Sequence, residues 1–274
     1  MLAFATAFFL YFFALYMRKI SVRPRVVLEE VALPPARAGL AAGAMSMMLL
    51  AAALLPFGIT ASEVWWLGVV LQVGASGLGA FAIWREPQEL REFTPFQYLT
   101  FVGPVVGPIA GIPLGHIWES YVLTLAALVP YLVITAGFAI QSLRRGIPLP
   151  LRPAVAIFLA PNCLFATSFG LLGVDWAFQI FYWLAGGIAL ALIGIGPWMS
   201  QGGWSPLWAG FAFPSTAFLL VQVLAVKLGV GNAALIGTYT AMSFATPLVF
   251  FITYRFIMTW VTGELAEGSG AARA

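Results

Sequence analysis

Long apolar runs separated by short polar breaks organise the whole chain. Nine runs approach the length of a membrane span, at 2–17, 38–56, 63–84, 96–115, 120–143, 153–172, 176–199, 206–228 and 233–260. About 20 apolar residues in a helix cross the hydrocarbon core, and a helix pairs its own backbone groups where lipid offers no hydrogen bonds. The pattern therefore predicts an all-α, polytopic membrane bundle.

The composition agrees with this pattern. Of the 274 residues, 62% are hydrophobic and only 8% are charged, whereas a soluble domain has about 25% charged residues. One cysteine, Cys163, excludes an internal disulfide or a CxxC metal site, and one histidine, His116, excludes paired-histidine haem ligation. We therefore expect no catalytic residue, no metal and no cofactor. The basic residues lie between apolar runs, so their placement indicates topology, and no nucleic-acid partner is expected.

Basic residues concentrate in alternate breaks. Ten arginines and lysines lie in the breaks at 18–37, 85–95 and 144–152, whereas the opposite loops contain Lys227, Glu63, Glu119 and Asp175. The positive-inside rule places the basic side in the cytoplasm. We expect a multi-pass protein of the plasma (inner) membrane, with residues 1–262 as one transmembrane domain and 263–274 as a disordered cytoplasmic tail. The basic breaks either gather anions or contact anionic lipid.

The first run differs from a signal peptide because it lacks a basic start and is followed by Arg18 and Lys19. It is interpreted as a span that enters from outside. Nine spans with that start suggest that one helix upstream is missing, so nine of an expected ten are seen.

Alternate runs contain internal prolines at a period of about 55 residues. These prolines are Pro104 with Pro108, then Pro161, then Pro214. The alternation predicts helical hairpins in which the kinked helix lines a central pore. The alternative is that the prolines only kink packed helices.

Glycines at every fourth position, Gly103, Gly107, Gly111 and Gly115, form a ridge along one run. The simpler explanation of such a ridge is close helix packing. A second explanation is that the missing side chains leave pore volume, and the two are compatible.

Three segments carry a resemblance to a known family. They are Val102 to Gly111, then Leu151-Arg152-Pro153 with Phe158 to Pro161, then Trp208 to Pro214. In order and spacing they resemble the tellurite-resistance/dicarboxylate transporter family, which contains bacterial TehA, plant guard-cell slow anion channels and fungal malate/sulfite transporters. The resemblance implies five helical hairpins around a narrow pore, a homotrimer, and a phenylalanine gate. Two features depart from the family: its first pore-lining helix has no counterpart, and Pro108 stands where members often have Asn.

Carried onto this chain, the resemblance makes Phe213 the pore gate. The predicted pore-lining residues are Phe211, Pro214, Gly103, Pro104, Gly107, Pro108, Phe165, Pro161 and Asn162. An aromatic ring can close a narrow path by excluding water, and Pro214 is expected to distort the helix around it. The competing interpretations are that Phe213 is one of 23 packing phenylalanines, and that Asn162 satisfies the carbonyl freed by Pro161.

The charges within and beside the spans bear on mechanism. The span interiors contain essentially no acids, which favours passive conduction because proton coupling usually requires buried Asp, Glu or His. Helix ends and the hydroxyls of Thr167 and Ser168 are then the sources of anion preference. His116 and Glu119 are interpreted as a solvated pair at the pore mouth, and Arg255 as a snorkelling side chain.

The function expected from these observations is an anion channel or carrier in the lipid bilayer. Its substrates would be small anions: chloride, nitrate, C4-dicarboxylates, or oxyanions such as tellurite or sulfite. A membrane enzyme would need clustered Asp, His or Cys at membrane depth, which the sequence lacks. The remaining alternative is a non-conducting structural or assembly subunit.

Overall fold

The computed structural model describes residues 2–264, and these are helical with no β-strand. Eight of the described helices are long and apolar enough to cross a membrane, which confirms the predicted all-α membrane architecture. The helices form two compact units, one up to Phe138 and one from Ala139 onward. Most of the predicted tail lies outside the described residues.

Five α-helices and one irregular segment build the first unit. The helices are α1 (Leu2–Val22), α2 (Val26–Ala32), α3 (Pro34–Leu54), α4 (Ser62–Arg85) and the short α5 (Pro108–Gly111), followed by the first part of α6 (Ile117–Arg145). Consecutive helices α3 and α4 pack together. At Gly68 their backbones approach closely, because a Cβ there would lie 2.9 Å from the backbone nitrogen of Met48.

The predicted span at 96–115 is not a continuous helix, so eight rather than nine of the predicted runs form long apolar helices in the described residues. The break lies at its proline pair, as the alternation of kinked and smoother helices predicts. The chain here forms a π-helical turn (Tyr98–Val102), a 3-10 turn (Gly103–Val106) and then α5. The physical reason is the pair Pro104 and Pro108, since proline lacks an N–H and its ring clashes with the preceding turn.

The broken segment is held by side chains of α4. Pro104 cannot donate to the carbonyl of Thr100, four residues earlier. That carbonyl instead accepts hydrogen bonds from Gln72 Nε2 at 3.0 Å and from Ser76 Oγ at 2.6 Å. Gln72 Nε2 also donates to the carbonyl of Leu99 at 3.1 Å. The amide of Gln72 fits because position 103 is glycine, where a Cβ would lie 2.8 Å from the Gln72 Cδ atom.

The second unit contains the remaining helices. A 3-10 segment (Leu149–Phe158) leads into α7 (Leu159–Leu171), followed by α8 (Asp175–Gly194), the short α9 (Gly196–Met199), α10 (Ala209–Lys227) and α11 (Asn232–Val261). The pairs α7 with α8 and α10 with α11 pack as hairpins, as the repeat predicts, and α7 also packs against α10. Helix α7 is almost wholly buried and forms the core of this unit.

The prolines of the second unit do not break its long helices. Pro153 lies in the 3-10 segment and Pro161 lies in the first turn of α7, where a backbone donor is not required. Helix α10 runs without interruption through Pro214, so the expected break there is wrong. The hydroxyls of Ser215 and Thr216 donate to the carbonyl of Ala212. The carbonyl that loses its helical donor to Pro214 is that of Gly210, four residues earlier.

The role of Gln72 is testable by a nearly isosteric change. Gln72→Leu removes two hydrogen bonds between α4 and the broken segment, and each interhelical bond in a membrane contributes about 0.6–1.7 kcal/mol. We expect the free energy of unfolding to fall by about 1–3 kcal/mol, measured by denaturant titration in detergent micelles.

The matched control is Gln179→Leu on the exposed face of α8, where the amide contacts only Trp183 at 3.1 Å. It should leave stability within about 0.5 kcal/mol of the parent, as surface substitutions usually do. Equal effects of the two substitutions would contradict the assigned role of Gln72.

Candidate functional site

Phe213, the predicted gate, lies near the start of α10. Its side chain is half-buried and the following Pro214 is buried. Among the described residues, the Phe213 ring has no aromatic neighbour in stacking or edge contact. The ring is therefore positioned by a regular helix but is not fixed by another ring.

Phe211, two residues earlier, is placed differently. Its ring meets Trp208 edge to face, with ring centroids 5.4 Å apart. Trp208 belongs to an aromatic cluster with Trp204 and Phe251. The guanidinium of Arg255 lies 5.0 Å from the centre of the Trp204 ring. Arg255 is thus held by a cation–π contact, which explains how the last long helix accommodates its one interior charge.

The predicted lining residues of α7 are core residues of the second unit. Phe165 is fully buried and stacks on Phe181, with ring centroids 4.9 Å apart. Pro161 and Asn162 are also buried. Asn162 Nδ2 donates to the carbonyl of Phe158 at 2.8 Å, so its amide binds a backbone carbonyl of its own helix. The carbonyl four residues before Pro161 is that of Ile157, which accepts from the backbone N–H of Leu159 instead.

The hydroxyls proposed as sources of anion preference lie in the same helix. Thr167 Oγ1 donates to the carbonyl of Cys163 at 2.8 Å, and both Thr167 and Ser168 are buried. The Thr167 hydroxyl proton is therefore used within the helix. The hydroxyl oxygen can accept a hydrogen bond from its surroundings, but it has no proton left to donate to an anion.

The predicted lining residues of the first unit, Gly103, Pro104, Gly107 and Pro108, are all buried or tightly packed. A Cβ at Gly107 would lie 2.7 Å from Leu123 Cδ1. A Cβ at Gly111 would lie 2.7 Å from the indole of Trp65. Side chains thus fill the space in front of these glycines, as the close-packing explanation of the ridge requires. Gly115 has a different role, because its φ of 90° places it in the left-handed region at a turn.

Two residues that sequence reasoning missed support this segment: Gln72, described above, and Trp65. Trp65 is fully buried and its Nε1 donates to the carbonyl of Gly107 at 2.8 Å. The signal that could have found them is the presence of hydrogen-bond donors, a carboxamide and an indole, within the apolar run at 63–84. Mean hydropathy over the run does not show such single residues.

His116 packs against Trp65 and is not half of a solvated pair with Glu119. The two rings are parallel within 4°, with centroids 4.7 Å apart. His116 Nε2 lies 3.2 Å from the hydroxyl oxygen of Ser62. Within residues 2–264, no cluster of three His, Cys, Asp or Glu could hold a metal ion.

Comparison with known proteins decides the family. The family model for voltage-dependent anion channels matches residues 1–261. The chain belongs to this family. The match confirms the resemblance to the tellurite-resistance/dicarboxylate transporters, and it makes the chain a multi-pass membrane protein of an anion channel and transporter family. No curated protein matches the chain.

The charges of this voltage-dependent anion channel family member are arranged at helix ends. Glu63, Glu119 and Asp175 lie in the first turns of α4, α6 and α8. Arg37 is buried in the first turn of α3, with 3% of its surface exposed, and its Nη1 donates to the carbonyl of Val31 at 3.4 Å. Since an anion path should avoid fixed negative charge, the placement of acids at helix starts suits the family's chemistry.

Because Trp65 donates a hydrogen bond to the broken segment, substitution of Trp65 should lower stability more than substitution of the adjacent Trp66. Trp65→Phe removes the hydrogen bond to Gly107 and leaves a gap in a buried site, so the free energy of unfolding should fall by about 1–4 kcal/mol.

Trp66→Phe is the matched control, because Trp66 is exposed to about two-fifths of its surface (41%). Its change should stay within about 0.5 kcal/mol. Thermal or denaturant unfolding of both variants gives the comparison, and equal losses would show that Trp65 has no special role.

Proposed function

We propose that this chain conducts small anions passively across the membrane and that the ring of Phe213 closes the path. Membership of the voltage-dependent anion channel family supports anion transport in general. The observation that carries the finer proposal is the Phe213 ring itself. It is half-buried without an aromatic partner among the described residues, whereas Phe165 and Phe211 are both held by other rings.

A ring with this freedom suits a gate. A phenylalanine locked by stacking would need to break that contact to move, which costs about 0.5–1.5 kcal/mol for an aromatic pair. The Phe213 ring changes rotamer without that cost. Pro214 follows it immediately and removes one backbone donor, so this turn of α10 carries fewer internal constraints than an ordinary helix turn.

The pattern of charge supports passive conduction of anions. The acids Glu63, Glu119 and Asp175 lie in first turns of their helices, and the one histidine is stacked on Trp65. A proton-coupled carrier usually needs ionisable groups within the spans. Anion preference then arises from the partial charges of helix ends rather than from a fixed cation on the path.

The remaining parts of the proposal follow the family resemblance. The substrates are chloride, nitrate, C4-dicarboxylates, or oxyanions such as tellurite or sulfite. The assembly is a homotrimer in the plasma membrane, with the C-terminus in the cytoplasm as the positive-inside rule assigns it. The other predicted lining residues remain predictions of the same proposal: Gly103, Pro104, Gly107, Pro108, Pro161, Asn162, Phe165, Phe211 and Pro214.

The gate is tested by truncating the ring. Purified chain in proteoliposomes should pass chloride and nitrate slowly, and Phe213→Ala should pass both faster. A barrier lower by about 1.4 kcal/mol raises the rate about tenfold. Flux is measured by anion-selective electrode under a potassium gradient with valinomycin.

Phe211→Ala is the matched control, because it removes an equal ring from the same helix but one that packs on Trp208. It should leave the flux within about twofold of the parent while lowering stability. If neither the parent nor Phe213→Ala conducts any tested anion, the chain is a non-conducting subunit. If both substitutions raise the flux equally, Phe213 is not the gate.

A further inference from the structure

A cleft of ≈ 380 Å³ lies between α2 and the last two turns of α4, within the first unit. This volume is in the range of small-molecule sites, roughly 300–1,000 Å³. Its walls are mostly apolar and include Leu28, Val31, Leu78 and Phe81. Two charged residues, Arg85 and Glu86, line the cleft where α4 ends.

The cleft is a built feature, because α2 is fixed by paired charges. Glu30 of α2 is buried and accepts a hydrogen bond from Tyr16 at 2.6 Å as well as an ion pair from Lys19. Glu29 accepts two hydrogen bonds from Arg23, at 2.8 and 2.9 Å. The acids of α2 thus bind groups of α1 and of the turn that follows it, and α2 also packs against α4.

Arg85 and Glu86 are not used in this way. The Arg85 guanidinium lies 4.5 Å from the centre of the Phe81 ring, which covers one face and leaves its N–H groups free. Among the described residues, neither the Arg85 nor the Glu86 side chain forms a hydrogen bond or an ion pair. The charge of Arg37 acts on Glu86 from a distance beyond ion-pair range.

Glu86 is also placed unfavourably for an acid. It is the C-cap of α4, where the helix dipole presents partial negative charge and favours cations. A carboxylate at this end, beside apolar walls, is stabilised by a bound cationic group. Arg91 donates to the backbone carbonyls of Glu86 and Trp84, at 2.9 and 2.8 Å. Arg37 lies beyond ion-pair range, so among the described residues no cationic side chain pairs with the Glu86 carboxylate. A ligand that carries both a cation and an anion complements Glu86 and Arg85 together.

We propose that this cleft binds one phosphatidylethanolamine molecule. Its phosphate binds the Arg85 guanidinium, its primary ammonium donates hydrogen bonds to the Glu86 carboxylate, and part of an acyl chain lies between Leu28, Leu78 and Phe81. Charge-assisted bonds of both kinds are the strong class of hydrogen bond. An anionic lipid such as phosphatidylglycerol places only negative charge beside Glu86. Phosphatidylcholine has no N–H group to donate.

The proposal is independent of anion conduction and is tested by lipid binding alone. The full chain, delipidated in detergent, is titrated with phosphatidylethanolamine, phosphatidylcholine or phosphatidylglycerol of identical acyl chains, and bound lipid is counted by native mass spectrometry. We expect one phosphatidylethanolamine to bind about tenfold more tightly than either other lipid, which corresponds to about 1.4 kcal/mol. Equal binding of all three lipids, or preference for phosphatidylglycerol, overturns the proposal.

Substitutions of Arg85 and Glu86 test which part of the headgroup each side chain binds. Glu86→Gln should bring phosphatidylethanolamine to within about twofold of phosphatidylcholine, whereas Arg85→Gln should weaken both by about tenfold. Arg85→Lys should retain most of the binding, because lysine also binds phosphate as a point charge. Retained ethanolamine preference in Glu86→Gln overturns the proposal.

Two further variants separate this site from general effects. Glu89→Gln, an exposed acid outside the cleft, is the matched control and should keep the tenfold preference. Ala82→Trp places an indole in the cleft and should remove the tight binding without lowering the melting temperature. Tight binding that survives Ala82→Trp places the lipid elsewhere and refutes the assignment.

Discussion

A backbone carbonyl inside a bilayer must find a donor, and this requirement determines the first unit. Pro104 leaves the carbonyl of Thr100 without its helical partner, and Gln72 and Ser76 of α4 supply donors at 3.0 and 2.6 Å. The position of the Gln72 amide then requires glycine at 103. Trp65, two turns earlier on α4, donates to the carbonyl of Gly107 in the same way. One helix face thus carries the donors that the broken segment lacks, so the register of α4 against that segment is fixed by hydrogen bonds as well as by packing.

The second unit accommodates its prolines without a break in its long helices. Its prolines lie in a 3-10 segment, in a first turn, or beside hydroxyl groups of the same helix. Helix α10 continues through Pro214, although the hydroxyls of Ser215 and Thr216 donate to the carbonyl of Ala212 and not to that of Gly210, which Pro214 deprives of its helical donor. The consequence for function is that Phe213 is presented by a continuous helix. Its backbone position is set by helix geometry and its rotamer is left to vary, as the proposed gate requires.

Hydropathy predicts the helices of this chain well because lipid permits few alternatives. The eight long helices lie close to predicted runs, and the family match confirms the resemblance that the motifs carried. What the sequence does not reveal is which proline breaks a helix. Pro104 and Pro214 are both preceded by apolar runs, yet one lies in a broken segment and the other in a continuous helix. In the first case side chains of α4 supply donors to the freed carbonyl, whereas in the second the helix continues through the proline. Averages over a window also hide single polar residues, which is why Gln72 and Trp65 were missed and why His116 was assigned to solvent rather than to the Trp65 ring.

The positions of the acids connect anion chemistry to the lipid site. Glu63, Glu119 and Asp175 begin helices, where the dipole stabilises negative charge without a partner. Glu29 and Glu30 are bound by cationic side chains. Both arrangements neutralise acids locally, as a protein that passes anions requires. Glu86 follows neither rule, since it ends a helix and has no ion pair among the described residues. Arg37 acts on Glu86 only from beyond ion-pair range, and a membrane supplies one abundant group that can pair with Glu86 directly, the ammonium of a zwitterionic headgroup. On this argument the bilayer is a specific ligand of the first unit as well as its solvent.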